Sequence, residues 1–430
     1  MTDHEATTAT TERPVLSGFP VLPERPAHRD PNVLRWLGAY TASMLGDNIY
    51  YLALSWAAVQ SGTPAQAGVV TALSALPRAL LMLGGGVLAD RFGPRRVVIG
   101  SDVVRCVTVL VVAALLFATE PGLWPLVVLS LVFGTVDAVF MPAVGALPAR
   151  VTGPGQLARV QGMRGLAIRF ASVVGAPLGG LGVALGGPAT AFGLAGLLIA
   201  VSVPLLVRVR IADLPGDERT GDGQSAGGTA WRDLKDGLTY IRRHRVLAPL
   251  VAAIALGDLG FVGPMNVGVT LLAQERGWGA SGMGWVLAGL GVGAGVAALL
   301  LTVRGSLPHA GIVMPVAVLL GSAAIAALPY APGVVAAAGV AALVGLLTGL
   351  SGALCGALLQ TQSAPAYLGR VSSVAGIVSL GLAPLGLPLT ATAIGLWGPA
   401  PVFAVSAAVC ALGGVLPLCV RDLRRVQLPR

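Results

Sequence analysis

The stretch SMLGDNIYY at residues 43–51 sets Asp47 beside Asn48, Tyr50 and Tyr51 inside an otherwise apolar segment, and the tripeptide LGD returns at 256–258. Two carboxylates in matching apolar contexts, Asp47 and Asp258, can take up and release protons. Arg78, Asp137 and Arg169 interrupt apolar runs in the same way. A charged side chain at the centre of a bilayer costs at least about 2.5–3.5 kcal/mol on insertion scales, so each should face the protein interior, paired or in contact with water. Proton exchange and solute binding are the chemistry such groups offer. Hydrolytic and metal chemistry lack their usual residues. His4, His28, His244 and His309 fall in tails or loops, Cys106, Cys355, Cys410 and Cys419 have no paired or metal-type spacing, and no nucleophile–base pair stands out. The expectation is therefore a protein that is no enzyme and carries neither cofactor nor metal.

The elements that must hold these residues are membrane spans. The chain has 430 residues, 55% hydrophobic and 11% charged, with a mean hydropathy of +0.81, outside the range of soluble domains. Apolar runs of roughly 20 residues, enough to cross a bilayer, fall at 33–59, 66–89, 96–118, 124–147, 160–185, 188–208, 246–272, 281–303, 310–330, 333–359, 371–395 and 400–420. On this twelve-span reading the basic residues of loops and tails lie on one side, Arg276 excepted. Basic loops face the cytoplasm, which puts both termini there. The net charge of +9 then reports topology and implies no nucleic acid. Residues 1–32 are polar with no apolar core and read as a disordered tail without a cleaved signal peptide; residues 421–430 form a second cytoplasmic tail.

At a constant offset of 211 residues the chain repeats itself. LGD at 45–47 falls on LGD at 256–258, Gly134 on Gly345, and Gly145, Ala146 and Leu147 on Gly356, Ala357 and Leu358. The segment at 154–165 meets 365–376, and Gly175, Pro177 and Leu178 meet Gly386, Pro388 and Leu389. The chain thus divides into six-span halves, 33–208 and 246–420, joined by 209–245. Parallel halves of this kind belong to transporters whose substrate site lies near the midplane between them. The connector starts as a flexible linker. Trp231, Leu234, Leu238 and Ile241 then recur at helical spacing, predicting an amphipathic helix on the cytoplasmic surface with its arginines toward lipid headgroups.

GGGVLADRFGPRRVV at 84–98 resembles the signature loop of the major facilitator superfamily, matching it at Gly86, Leu88, Asp90, Arg91, Gly93, Arg95 and Arg96, with Pro94 in place of a basic residue. The resemblance implies an all-α membrane fold of twelve helices in two pseudo-symmetric halves, in which this loop, between spans two and three, gates the conformational change. LGD, ALPR at 75–78, SDVVR at 101–105, FMPAVGALP at 140–148 and QSAPAYLGRV at 362–371 are similar to the drug-exporter branch with macrolide-efflux and enterobactin-export proteins. Two positions depart from the superfamily pattern: GAPLGG at 175–180 has its proline one residue late, and Ser130 stands where an arginine assists proton coupling.

Counting about 1.5 Å per helical residue from the basic loops, Asp47, Arg78, Asp137, Arg169 and Asp258 all fall about 15–20 Å deep, in one layer. The family implies that spans one, four, seven and ten line the cavity, and Asp47, Asp137 and Asp258 fall on the first three of these. Arg78 is expected to approach Asp47, and Arg169 to approach Asp137. Both arginines serve either as structural ion-pair members or as cargo contacts. Asp102 and Arg105 read as a local helix pair. One acid is left over, and a desolvated carboxyl without a cation retains a proton more readily than one beside arginine, so Asp258 is the expected proton carrier and Asp47 the paired acid. Asp137, Asn48, Tyr50, Tyr51, Trp56, Asn266 and Thr348 are the expected cargo contacts. The sequence-level expectation is a proton-driven exporter of an amphipathic organic compound from the bacterial cytoplasmic membrane, functional as a monomer, with small organic molecules, protons and the bilayer as its partners. A lysophospholipid or siderophore transporter of the same fold is the alternative. A sensor or membrane enzyme is a remote third.

Overall fold

The computed structural model describes residues 26–119, 122–153, 156–211, 226–304, 309–364 and 367–426; the side chains at 79, 82–91, 158, 226–234, 304, 368, 373, 380, 382–384 and 425 lie outside the description. The described chain is helical throughout. Its elements are α1 Pro31–Ser61, α2 Pro64–Phe92, α3 Pro94–Ala118, α4 Trp124–Val151, α5 Leu157–Val207, α6 Ala226–Arg243, α7 Leu247–Gly263, α8 Val269–Glu275, α9 Gly279–Arg304, α10 Ala310–Ala327, α11 Val334–Gln362, α12 Leu368–Trp397, α13 Pro399–Cys419 and α14 Arg421–Arg425. Among the described residues, eight helical segments are long and apolar enough to cross a membrane. One of them, α5, is two passes: Gly186 and Gly187 leave helical geometry, Gly187 at φ 73°, a turn that suits a residue without a Cβ. α1, α2 and α12, of 31, 29 and 30 residues, complete the order expected of twelve spans.

Local chemistry explains where the helices begin. Proline stands in the first turn of α1, α2, α3 and α13, where its missing N–H is no loss. Thr63 and Gln66 exchange backbone and side-chain bonds at the start of α2, a reciprocal cap. Pro264, which has no N–H, opens a π-helical turn, Pro264–Gly268, between α7 and α8. Two expected boundaries shift. The last residues of the N-terminal tail are ordered, with a 3-10 turn at Ala27–Arg29 and Ala27 buried. The expected loop at 84–98 is mostly helix, since α2 continues to Phe92 and the turn narrows to Gly93 at φ 81°.

Apolar spans associate through close packing of small residues, and the repeat shows in which glycines do this. A Cβ on Gly134 of α4 would lie 2.3 Å from the Ser74 carbonyl oxygen of α2, and one on its repeat mate Gly345 of α11 would lie 2.0 Å from the Leu290 oxygen of α9. Within the first half α1 packs on α5, α2 on α4 and α3 on both α4 and α5; within the second, α9 packs on α11, α10 on α11 and α13, and α7 on α12 and α13. The halves meet where α2 packs on α12 and α5 on α9. α6 docks on α12 and α7, burying Ile241 among Val246, Leu247, Leu358 and Val371, so part of the apolar face of the connector helix rests on protein; the side chains of Trp231 and Leu234 lie outside the described residues.

Candidate functional site

Arg105 on α3 is fully buried and stands at the centre of the charged layer. Its Nη1 donates to both oxygens of Asp47 on α1, at 2.9 and 2.8 Å, and lies 3.5 Å from Asp137 on α4. Its Nη2 bonds Asp102 one turn away and the Ser43 hydroxyl at 3.1 Å. Ser43 and Ser202 complete the hydrogen bonding of Asp102, and the guanidinium lies 3.9 Å above the Phe140 ring. A planar, always-charged group with five donors can serve three acids at once, and it supplies the shared positive charge that three neighbouring buried carboxylates need.

The expected pairings therefore need correction. Asp47 pairs with Arg105, and Arg78 lies 3.8 Å from Asp137. Arg169 has no ion-pair partner among the described residues; it is exposed to the cavity described below. The Asp102–Arg105 pair is far more than local. Arg105 lies ten residues beyond Arg95, about 15 Å along a helix, so the depth arithmetic that found the other five charges would have included it.

The two halves are not equivalent here. At the 211-residue offset, Asp102, Arg105 and Asp137 fall on Val313, Val316 and Thr348, and Arg78 on Gly289. Asp258, repeat mate of Asp47, consequently lacks the cation: it accepts a hydrogen bond from Ser379 on α12 and has no basic partner within 4 Å among the described residues.

Between the halves lies a cavity of about 1060 Å³. Asn48, Tyr51, Ser55, Arg78, Arg169 and Ser172 come from the first half, and Asp258, Asn266, Thr348 and Ser379 from the second. Apolar area dominates the rest, from Phe261, Met265, Leu287 and Leu290 among others. The cavity is sealed at one end. There Ser55 and Thr270 share a hydrogen bond at 2.7 Å, and a Cβ on Gly68 or Gly180 would lie 2.6 Å from Ala391 Cβ or 2.5 Å from the Ala280 oxygen. Gly180 and Ala391 are repeat mates, so the α2–α12 and α5–α9 seams close in the same way. From this seal the lining continues past Asp258 to Met314, Leu359 and Ala375.

Of the expected cargo contacts, Asn48, Tyr51, Asn266 and Thr348 line the cavity, together with Arg78, Arg169 and Asp258. Tyr50 and Trp56 do not. Both are packed in the core, Tyr50 with its ring stacked 3.7 Å from Phe133 of the first half. Asp47 and Asp137 also lie behind the wall. α4 supplies no cavity residue among those described, which corrects the expectation for span four, and Asp137 communicates with the cavity through the Tyr51 hydroxyl, which donates to it at 2.9 Å. Of the signature residues, Arg95 donates to the carbonyls of Leu206 and Val207 at the end of α5, and Arg96 is exposed. The side chains of Asp90 and Arg91, like the surroundings of Gly86, lie outside the described residues.

Residues 36–384 match the sequence profile of the Major Facilitator Superfamily. The chain belongs to this superfamily. Relatives include the multidrug efflux pump Tap of Mycobacterium tuberculosis, 27% identical over 421 residues that span 94% of this chain and 96% of the pump. The enterobactin exporter EntS of Escherichia coli is 27% identical over 298 residues, 68% of each chain. Among solved structures, the nucleoside transporter NupG superposes with a TM-score of 0.70 at 12% identity, covering 91% of this chain and all of that one. A peptide transporter of the POT family reaches 0.69 at 12% identity over 92% of this chain and 96% of that one. At such identity the likeness is one of fold. The protein is thus a multi-pass membrane transporter of the major facilitator fold, a family of transporters and not of enzymes.

Proposed function

We propose that this transporter exports an amphipathic organic compound, such as a drug, an antibiotic or another natural product, from the bacterial cytoplasm by proton antiport. The halves 33–208 and 246–420 alternate access to the cavity as a monomer in the cytoplasmic membrane, with both termini inside. One observation carries the reading: Asp258 faces a large, mostly apolar cavity with a serine as its one partner among the described residues, while its repeat mate is held by Arg105. A carboxyl group so placed can be neutralised either by a proton or by a cargo cation, and competition between the two is antiport. Similarity to Tap and EntS supports export as the direction.

Siderophore or lysophospholipid cargo is the second reading. The cavity matches the upper end of the roughly 300–1,000 Å³ usual for small-molecule sites, leaving room for such molecules, and an enterobactin exporter is among the relatives. Everted membrane vesicles test both. With an inwardly acidic pH gradient, at least one member of a panel of dyes, antibiotics and siderophores should accumulate and dissipate the gradient. Lysolipid cargo would instead show as altered asymmetry of a labelled lysophospholipid in proteoliposomes. If no panel member accumulates or moves protons, the antiport reading fails.

A further inference from the structure

Among the described residues, the charged side chains lining the cavity are Arg78, Arg169 and Asp258. Arg78 is half-buried and sits 3.8 Å from Asp137, whose carboxylate offsets its charge. Arg169 and Asp258 remain, one on α5 of the first half and one on α7 of the second, and they do not pair with each other. Arg169 lies one turn from Ser172 and Val173, where α5 meets Gly291 of α9, so it belongs to the wall that moves when the halves rock. While the cavity is open, water solvates both charges. Closure over a bulky, mostly apolar cargo displaces that water, and a charge left facing the cargo without a counter-charge is costly, whereas in the proton-loaded return no cargo is present and water stays beside Arg169. A simple cation would neutralise Asp258 and leave Arg169 exposed to an apolar, dry cavity. A simple anion would do the reverse.

We infer that the preferred cargo is zwitterionic, with its anionic group on Arg169, its basic nitrogen on Asp258 and its apolar body against Phe261, Met265 and Leu287. This rests on the export reading above. A guanidinium holds a carboxylate or a phosphate through paired N–H donors, and a carboxylate holds an ammonium, so one molecule satisfies both walls. Either a soluble amino acid-like drug or the headgroup of a lysophospholipid carries this chemistry.

The test uses the full-length protein in everted vesicles, with transport measured for ciprofloxacin, its methyl ester and its N-acetyl form, and for lysophosphatidylethanolamine beside its N-acetyl form. The wild type should transport a zwitterion at least ten-fold more efficiently than its blocked relatives. Preference in the fluoroquinolone set identifies a soluble cargo, and preference in the lipid set a headgroup. Arg169→Gln should bring the zwitterion down to its ester, Arg169→Lys should keep part of the preference, and Asp258→Asn, assayed by gradient-free counterflow, should bring the zwitterion down to the N-acetyl form. Size-exclusion profiles check that each variant is folded. Equal or better transport of the cationic ester, or an Arg169→Gln variant that slows every compound alike, overturns the zwitterion assignment while leaving export standing. Transport of none of the five compounds, with transport of other panel members, also overturns it, and a protein that moves nothing at all overturns both readings.

Discussion

Arg105 of α3 holds both carboxylate oxygens of Asp47 on α1, at 2.9 and 2.8 Å from one nitrogen. The pair ties together two helices that make few other polar contacts, and the same guanidinium reaches α4 through Asp137. Removing this one cation would leave three acids without their common partner.

Arg105→Gln should therefore destabilise the first half by about 3–5 kcal/mol, the usual cost of breaking a buried ion pair from one side. Thermal unfolding in detergent reads it as a lower midpoint and a poorer yield. Arg105→Lys should recover only part of the loss, because an ammonium cannot present the forked donors that reach Asp47 and Asp102 together. A variant Gln protein as stable as the wild type would remove the cluster from the account of the fold.

Asp47 and Asp258 should part company when each is changed to asparagine. Asp258→Asn is expected to reduce pH-gradient-driven uptake to background while gradient-free counterflow persists at the lower rate of a cargo without its basic nitrogen. Asp47→Asn weakens two charge-assisted hydrogen bonds of Arg105, worth about 1.5–3 kcal/mol, and should show chiefly as lower stability with coupling retained. Full gradient-driven uptake in the Asp258 variant, together with its loss in the Asp47 variant, would assign coupling to the first half.

Tyr51 joins the cavity to the buried acids through its hydroxyl bond to Asp137. Tyr51→Phe keeps the ring and deletes the bond. Transport should slow several-fold, with unfolding temperature shifted little, since Asp137 keeps Arg105 and Arg78 nearby. An unchanged rate would mean that the cavity does not sense the cluster by this route.

The seal should be sensitive to small side chains placed at its glycines. Gly180→Val or Gly68→Val puts side-chain atoms where backbone or Cβ atoms already stand 2.5 or 2.6 Å away, which wedges α5 from α9 or α2 from α12. A cysteine replacing Ser55, labelled from outside the cell with an impermeant maleimide, should then react several-fold faster than in the parent. No change in labelling would contradict the location of the seal.

At the connector, Tyr240 stacks on Tyr367 at 4.4 Å with the rings 5° apart, while Asp236 and Arg370 approach only to 3.9 Å and are partly exposed. An aromatic pair contributes about 0.5–1.5 kcal/mol and an exposed ion pair usually under about 1. Tyr240→Ala should thus loosen α6, seen as faster proteolysis within 226–243, and Asp236→Asn should leave the rate unchanged. The reverse order would show that charge, not stacking, docks the helix.

What the sequence alone determined was whatever can be counted along one chain. Span lengths, the 211-residue register that pairs Asp47 with Asp258 and Gly134 with Gly345, and the common depth of the charged residues all follow from rise per residue and from the cost of charge in a bilayer. Tertiary structure decided which way each span faces. A helix that is apolar all round has no stripe to mark its inner side, so nothing in the sequence told that α4 turns Asp137 away from the cavity, or that Tyr50 and Trp56 point into the core while Tyr51, one residue from the first, faces the opening. It also decided the partners. Arg105 was visible beside Asp102 at helical spacing, but the long arginine side chain spans the roughly 8–10 Å between packed helices, and its choice of Asp47 depends on how α1, α3 and α4 are brought together, a distance that no spacing along the chain encodes.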